Sequence, residues 1–406
     1  MQTTENMKRL AIAAVLISLA ATTVAQSGTS TNWTGQNVNN KNYISTGMPI
    51  LLIAPDAVSS GMGDVGAASA PDLYSAHWNN AKLAFVDGNM GVGLTYTPWL
   101  RNLKVGDMNL FYLSGYYRIN KNSTAAAGLT YFTLGDIDNT DEDGQTLQTI
   151  HPNEFAFDLT YALKITDQLS LGASGRFIRS DLTNGAVISS SGEHTSTHAA
   201  NSLAADIGLY YQGEIDKTQD FALGLHISNL GAKLSYEDDD TKKEFLPSNL
   251  RIGGRYTNRI DEYNKISVLV DANKLLVPTR PYTRDGVTYE TRYAKNLAEY
   301  NNIGVIAGAF QSFADAPGGF SEEMQEIQLS GGVEYWYAET FAARAGYFFE
   351  HENKGGRQYA TVGVGLRYNI FKFDLSYLIP TTKISTNPLA HTIRIGLMIE
   401  MLPEKK

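Results

Sequence analysis

The sequence predicts an all-β protein, a 14-stranded antiparallel transmembrane β-barrel with an N-terminal lumen plug, or hatch. Three observations support this prediction. Segments of about ten residues repeatedly alternate between apolar and small or polar side chains, which is typical of strands with lipid on one face and the lumen on the other. Short and long connections between these segments alternate along the chain. The first residues also have the organisation of an export signal.

The N-terminus is predicted to be a secretory signal peptide. Met-Lys-Arg at residues 7–9 gives a positive n-region, residues 10–21 an apolar h-region, and Thr-Val-Ala at residues 23–25 a cleavage site of small residues. The apolar run is too short to cross a membrane as a helix. We therefore expect residues 1–25 to be removed, with Gln26 as the first residue of the mature chain.

Composition agrees with a barrel and excludes several classes of function. The chain has 406 residues, of which 43% are hydrophobic, with 23 Tyr and 16 Phe available for aromatic girdles at the membrane interfaces. A formal net charge of -9 argues against nucleic acid as a partner. The absence of cysteine from the sequence excludes disulfides, a lipoprotein anchor and thiol catalysis.

Fourteen segments carry the alternating pattern, most clearly residues 155–165, where odd positions are large and apolar. Short turns such as 166–167 alternate with long loops such as 135–153, and in outer-membrane barrels these are periplasmic and extracellular, respectively. An even strand number returns both ends of the barrel to the periplasmic side. The predicted strands are 90–97, 108–118, 124–134, 154–165, 168–179, 202–213, 219–229, 248–257, 265–272, 326–337, 340–350, 358–369, 371–379 and 390–400.

A barrel of this size is too wide for its own strand side chains to fill. Residues 26–88 show no strand pattern and are rich in Asn, Ser, Gly and Ala, so we predict that they form the hatch and that residues 89–406 form the barrel. Charges of both signs at inward strand positions favour ion pairs bracing the hatch over an ion-selective ring. These positions are Asp158, Lys164, Arg176, Asp206, His226, Arg251, Arg255, Glu334, Arg344, Arg367, Asp374 and Arg394.

One very long connection, residues 273–325, is predicted to contain a helix at residues 303–313. Four apolar residues follow the spacing i, i+3, i+7, i+10, which places them on one helical face: Ile303, Ile306, Phe310 and Phe313. Pro317 and Gly318 are expected to stop this helix and turn the chain. Two alternatives are open: the helix folds back into the lumen, or its apolar face is offered to a partner.

Other motifs give weaker indications of function. Residues 61–66 match G-x-G-x-x-G, but no βαβ pattern surrounds them, which argues against a nucleotide site. The acidic run from Asn139 has the rhythm of a calcium loop, yet Ile150 stands where a bidentate Glu is needed; a solvated loop is favoured, and calcium binding in 136–150 is left open. His194 and His198 are four residues apart without a helical pattern to align them on a metal. We predict neither a cofactor nor a catalytic site.

Several segments resemble the PorV family, outer-membrane components of the type IX secretion system. They include Pro-Asp at 55–56, Gly-Met-Gly-Asp at 61–64, His-Trp-Asn at 77–79, Lys-Leu-Ala-Phe at 82–85 and the run from Phe310 to Gly319. The Gly- and Ala-rich hatch also resembles that of the wider superfamily of fourteen-stranded long-chain fatty acid transporters. The candidate hatch-packing residues are Asp56, Gly61, Gly63, Gly66, Trp78 and Asn79.

The resemblance implies a function in protein secretion and no enzymatic activity. PorV-like proteins bind C-terminal signal domains of secreted cargo as these leave a large translocon barrel, and carry them to a cell-surface sortase that joins the cargo to lipopolysaccharide. The implied location is the outer membrane, with loops at the cell surface. The candidate partner-binding residues are Ile303, Ile306, Phe310, Phe313, Asp315, Pro317 and Gly318. The alternative is a transporter of hydrophobic small molecules such as long-chain fatty acids.

Overall fold

The structure, a computed structural model, describes residues 43–101, 107–140, 146–182, 187–190, 193–196, 198–236, 243–284, 287–381 and 389–401. The predicted signal peptide, residues 1–25, and the beginning of the predicted hatch, residues 26–42, lie outside the described residues. No helix in the described ranges is long and apolar enough to cross a membrane.

Fourteen strands form a closed antiparallel barrel in which each strand pairs with the next and the first pairs with the last. The predicted closed barrel of fourteen antiparallel strands is confirmed, and the fourteen predicted segments match the strands with ends displaced by at most three residues. The strands are β1 Met90–Pro98, β2 Met108–Arg118, β3 Ser123–Leu134, β4 Asn153–Lys164, β5 Leu169–Asp181, β6 Ala200–Glu214, β7 Gln219–Gly231, β8 Asn249–Arg259, β9 Asn264–Leu275, β10 Gln328–Tyr337, β11 Phe341–Phe349, β12 Gln358–Tyr368, β13 Phe371–Pro380 and β14 Ile393–Met401.

Side-chain alternation decides which face of each strand is outward. In β4, Leu159 and Tyr161 are exposed on the outer face, whereas Asp158 and Thr160 are buried on the inner face. Pairing of Met90 with Met401 through Tyr96 with Ile395 joins β1 to β14 and closes the sheet. Closure leaves no free strand edge, as a backbone surrounded by lipid requires.

The connections separate the two ends of the barrel. Turns of a few residues join β2 to β3, β4 to β5, β6 to β7, β8 to β9, β10 to β11 and β12 to β13, and these lie at one end. The longer connections lie at the other end, and in the described ranges four of them contain small hairpins that the alternation pattern does not predict. The hairpins pair Ile137–Thr140 with Thr146–Ile150, Val187–Ser190 with Glu193–Ser196, Leu234–Ser235 with Lys243–Glu244, and Tyr282–Arg284 with Val287–Tyr289.

The described part of the N-terminal segment packs against the inner face of the barrel. It contains two short helices, α1 Ala57–Ser60 and α2 Ser75–Trp78, and 3-10 turns at Pro49–Leu52 and Asn80–Phe85. Its contacts reach strands far apart in sequence. Gly66 donates its backbone N–H to the Asp271 carboxylate in β9 (2.7 Å), and the Asn80 side chain donates to Ser174 Oγ in β5 (2.8 Å).

Inward charges of opposite sign form ion pairs, as the mixed signs predict. Arg176 lies 2.9 Å from Asp206, and Arg344 lies 2.7 Å from Glu334 and 2.6 Å from Asp374. Two other inward arginines bind the backbone of the N-terminal segment: Arg251 donates to the Asp64 carbonyl (2.9 Å) and Arg394 to the Ala54 carbonyl (2.9 Å). Because buried guanidinium groups need partners, these contacts hold the segment to the wall.

Candidate partner-binding surface

The longest connection between consecutive barrel strands joins β9 to β10 and contains three helices. They are α3 Leu297–Asn302, α4 Val305–Gln311 and α5 Phe320–Gln325. Asn296 caps α3 because its side-chain oxygen accepts the backbone N–H of Glu299 (2.9 Å). Acidic residues occupy the first turn of α5, where they favour a helix start.

The predicted single helix over 303–313 is wrong in its limits. Ile303 and Gly304 have extended backbone between α3 and α4, so Ile303 does not share a helical face with Ile306. The helix ends at Gln311, well before Pro317 and Gly318, which instead lie in the exposed link to α5. The other two helices of this connection, α3 and α5, were not predicted from the sequence.

A small apolar cluster holds the base of α4. Ile303 and Val305 pack against buried Phe245, Val277, Ala294 and Tyr300, and the rings of Phe245 and Tyr300 meet edge to face with centroids 5.5 Å apart. At Gly308, an added Cβ would lie 3.0 Å from the Pro278 ring, so the helix approaches the chain closely on this side. One side of α4 is therefore committed to packing.

The opposite side of α4, the link that follows it and α5 leave five large apolar side chains exposed. Phe320 is 81% exposed and Phe310 is 77% exposed, although aromatic side chains gain most from burial. We call the five residues the apolar helix surface: Ile306, Phe310, Phe313, Phe320 and Met324. The alternative in which this face folds back into the lumen does not fit these exposures.

Buried acidic groups fasten the link between the two helices. Glu323 Oε1 accepts the backbone N–H groups of Asp315 and Ala316, both at 2.7 Å. The Asp315 carboxylate accepts the backbone N–H of Thr279 (2.8 Å). Burial, together with the nearby carboxylates of Glu326 and Glu323, raises the pKa of Asp315 to about 7. The hydrogen bonds from Thr279 act in the opposite direction and lower this pKa.

Two buried lysines tie these acids to the barrel. Lys274, in β9, lies 3.2 Å from Glu323 and 2.5 Å from Glu326. Lys354, which precedes β12, lies 2.9 Å from Glu326 and 2.7 Å from Glu322. Because Glu326 is shared by both lysines, the end of α5 is joined to two separate parts of the barrel rim. We call these two lysines and three glutamates the rim ion network.

The candidate hatch-packing residues form a second buried group inside the barrel. Asp56 caps α1 by accepting the N–H groups of Val58 (2.9 Å) and Ser59 (2.8 Å), and its other oxygen accepts Trp78 Nε1–H (2.5 Å). Burial is the main cause that raises the pKa of Asp56 to about 6. Asn79 donates to the carbonyls of Ala67 (2.8 Å) and Leu209 (3.0 Å), so it links the segment to β6.

An added side chain would be in tight contact at Gly61 and would overlap neighbouring atoms at Gly63 and Gly66. A Cβ at Gly66 would lie 2.4 Å from the Trp78 ring, and one at Gly61 3.2 Å from Cα of Gly363 in β12. Gly63 has a φ of +74° and touches the backbone of Tyr347 in β11. The G-x-G-x-x-G pattern of residues 61–66 thus contacts strand backbone and an indole ring.

The weaker motifs lie at the borders of the described chain. Residues 141–145 of the acidic loop and the side chain of His194 lie outside the described residues. In the part of the chain that is described, no group of three or more His, Asp or Glu side chains is placed to hold a metal ion.

The sequence prediction did not include two residues of the apolar helix surface or the two lysines of the rim ion network. Phe320 and Met324, spaced i and i+4 after Gly319 with acids in the first turn, carried a recognisable helix signal. Lys274 and Lys354 carried none, because a lysine before or after a strand is common and its partner lies far away in sequence.

Several solved structures with distant sequences align with most of the chain, each with a TM-score below 0.5. The Pseudomonas putida toluene transporter TodX is 12% identical, with 86% of this chain and 99% of that chain covered and a TM-score of 0.49. The Ralstonia pickettii toluene transporter TbuX is 13% identical over 85% and 98% of the two chains, with a TM-score of 0.47. A Pseudomonas aeruginosa FadL homologue is 10% identical over 89% and 99%, with a TM-score of 0.41. No curated protein sequence matches the chain.

A sequence profile gives the family. The profile described as "Type IX secretion system protein PorV" matches residues 36–282, which is more than half of the chain. The match includes the N-terminal segment and the barrel strands from β1 to β9. A closed barrel of fourteen strands fits an outer-membrane protein. The chain belongs to the PorV family of type IX secretion system proteins.

Proposed function

We propose that this protein binds the C-terminal signal domains of secreted cargo as they leave a large translocon barrel and carries them to the sortase complex at the cell surface. It acts as a binding and carrying subunit and not as an enzyme. Family membership supports the secretion context. The exposure of the apolar helix surface carries the assignment of the binding site.

The chemistry of this surface suits a protein partner. Aromatic side chains that are exposed in the free protein and buried on binding supply most of the free energy at many interfaces. Phe310 and Phe320 offer two such anchors, at 77% and 81% exposure. Acidic Glu322 on α5 and the polar link at Gly318 border them, which fits an apolar centre with a polar rim.

The surface is also held in place before binding. The rim ion network fixes α5, and the Phe245 cluster fixes the base of α4. A partner that docks on a preformed surface does not lose the free energy of ordering a loop. Rigid support therefore favours binding by these helices over a role as a solvent-exposed tether.

We further propose that residues 26–88 close the lumen, so that cargo does not pass through this barrel. The hydrogen bonds from Gly66 to β9 and from Asn80 to β5 support this, as do the arginine contacts of Arg251 and Arg394. Planar-bilayer recordings of the intact protein should show little steady conductance. Large steady conductance would contradict the proposal that residues 26–88 close the lumen.

The long connections are proposed to face the cell exterior. A cysteine placed at Gly318, which is exposed beside α5, should react with a membrane-impermeant maleimide on whole cells. A cysteine at Asp167, in the turn between β4 and β5, should react only after the outer membrane is opened. Labelling at Asp167 alone would place the apolar helix surface in the periplasm and contradict the proposal.

Binding is tested with the purified protein in nanodiscs and a fluorescent fusion of a type IX cargo signal domain. The double variant Phe310→Ala, Phe320→Ala should weaken binding by more than about 1 kcal/mol per anchor. Tyr368→Ala is the matched control, because Tyr368 is also 77% exposed but lies beside a short turn at the opposite end. Equal binding by the double variant and the wild type would exclude the apolar helix surface as the cargo-binding site. Tight binding of a long-chain fatty acid without cargo binding would favour the transporter alternative.

A further inference from the structure

A cavity of about 340 Å³ lies between residues 43–52 and the ends of the barrel strands that carry the long connections. Its walls are mainly apolar. They include Ile44, Met48, Pro49 and Leu52 from the N-terminal segment, with Leu134 and Leu275 from β3 and β9. The volume lies in the range of sites that hold small organic molecules.

One acidic side chain of the wall is incompletely satisfied. Glu154, in β4, is 2% exposed and lines the cavity. Its Oε1 accepts a hydrogen bond from Ser180 Oγ (2.5 Å), which in turn accepts one from the Tyr236 hydroxyl (3.0 Å). Within the described part of the chain, Glu154 Oε2 has no hydrogen-bond partner.

The other charged groups of the cavity do not supply the missing donor. Arg357 lines it but donates from Nε and Nη2 to the two oxygens of Glu350, both at 2.8 Å. Glu244, which lies 3.7 Å from Arg280, is a carboxylate and therefore has no proton to donate. Leaving a buried carboxyl oxygen without a partner costs more than an ordinary hydrogen bond contributes, so a donor from outside the chain would be favoured there.

We propose that this cavity is a binding site for a small apolar molecule that carries one hydrogen-bond donor, an amine or a hydroxyl. The apolar body packs against the leucine and methionine walls, and the donor binds Glu154 Oε2. A plain hydrocarbon leaves this oxygen unpaired, and an anion is repelled once Glu154 is ionised. The site is separate from the apolar helix surface, so this proposal stands or falls independently of cargo binding.

The test uses the full chain in nanodiscs with fluorescent probes that share one ring system. 1-Aminoanthracene has a donor, anthracene has none, and 1-anthracenecarboxylate is an anion; empty nanodiscs correct for partitioning into lipid. Wild type should bind the amine with a dissociation constant about tenfold lower than that of the hydrocarbon, as one additional hydrogen bond provides. At about pH 9, where Glu154 is ionised, the carboxylate should bind more weakly than both. Equal affinities for amine and hydrocarbon, or no saturable binding, would overturn the proposal.

Two variants locate the effect. Glu154→Leu should abolish the preference for the amine while hydrocarbon binding remains, and Glu214→Leu, at the exposed end of β6, should change nothing. If Glu154→Leu does not fold, as judged by heat-modifiable migration, Leu182→Trp fills the cavity from its exposed rim and should weaken both probes. A tenfold preference that survives in folded Glu154→Leu, or unchanged binding in Leu182→Trp, would contradict the assignment.

Discussion

Replacement of Gly63 by alanine is expected to loosen the N-terminal segment while the barrel stays folded. The φ of +74° at Gly63 is one that residues with a Cβ rarely adopt. The added Cβ would lie 2.5 Å from the backbone nitrogen of Tyr347. Because that nitrogen belongs to β11, the overlap is relieved by moving the N-terminal segment and not by rotating a side chain.

The magnitude follows from two separate effects. Left-handed backbone costs a non-glycine residue about 1–2 kcal/mol. Overpacking of a tightly filled site costs about 1–3 kcal/mol. The docking of this segment should therefore weaken by about 2–5 kcal/mol, and the lower limit alone corresponds to about a 30-fold change in the opening equilibrium.

Hydrogen exchange measured by mass spectrometry reports this opening directly. Peptides covering residues 61–68 contain the N–H groups of Gly66 and Ala67, which bond to Asp271 and are protected while the segment is docked. Exchange there should accelerate at least about 30-fold in Gly63→Ala. The matched control is Gly331→Ala in β10, where an added Cβ meets no described atom within 4 Å. Unchanged exchange in Gly63→Ala, or equal acceleration in both variants, would refute the reasoning.

Two further predictions concern the lipid face and the rim. Leu159→Arg should lower the free energy of unfolding by about 2–4 kcal/mol, because Leu159 points outward near the middle of β4. Urea unfolding from vesicles measures this loss, and a loss of less than about 1 kcal/mol would show that the outer face does not meet lipid. The pKa of Asp315 is about 7 in the folded protein against an ordinary 3.8, so its protonation stabilises the fold fully below pH 3.8, and this contribution declines as the pH rises to about 7. Melting temperatures between pH 4 and pH 8 should show that decline in the wild type and lack it in Asp315→Asn; identical profiles would contradict the assignment.

The barrel is predictable from sequence because each strand separates two unlike surroundings. The alternation at residues 155–165 gives β4, and residues 108–118 give β2 with both ends correct. The short loop hairpins, such as Tyr282–Arg284 with Val287–Tyr289, are not predicted because strands of two to five residues are too short to show a repeated alternation.

The candidate surface was predictable only in part. Phe310 and Phe313 were identified through their helical spacing, but the same spacing placed Ile303 on that helix. Its extended backbone results from packing against Phe245, a residue distant in sequence. Tertiary contacts of this kind override local periodicity, and a single sequence does not reveal them.

The rim ion network lies beyond sequence reasoning for a similar reason. Glu326 meets Lys274 and Lys354 only because the barrel brings the ends of β9 and the chain before β12 together. The hatch glycines are an intermediate case. Their density predicts close packing, whereas only the structure shows that Gly63 meets the backbone of β11.

Site-specific photo-crosslinking in living cells tests the central claim most directly. A photoreactive phenylalanine analogue at Phe320, which is 81% exposed on α5, is compared with the same analogue at Tyr368, beside the short turns. If the apolar helix surface receives cargo, irradiation should join the Phe320 variant, and not the Tyr368 variant, to secreted proteins through their C-terminal signal domains. Crosslinks to cargo from Tyr368 alone, or none from Phe320 in cells that actively secrete cargo, would contradict the account.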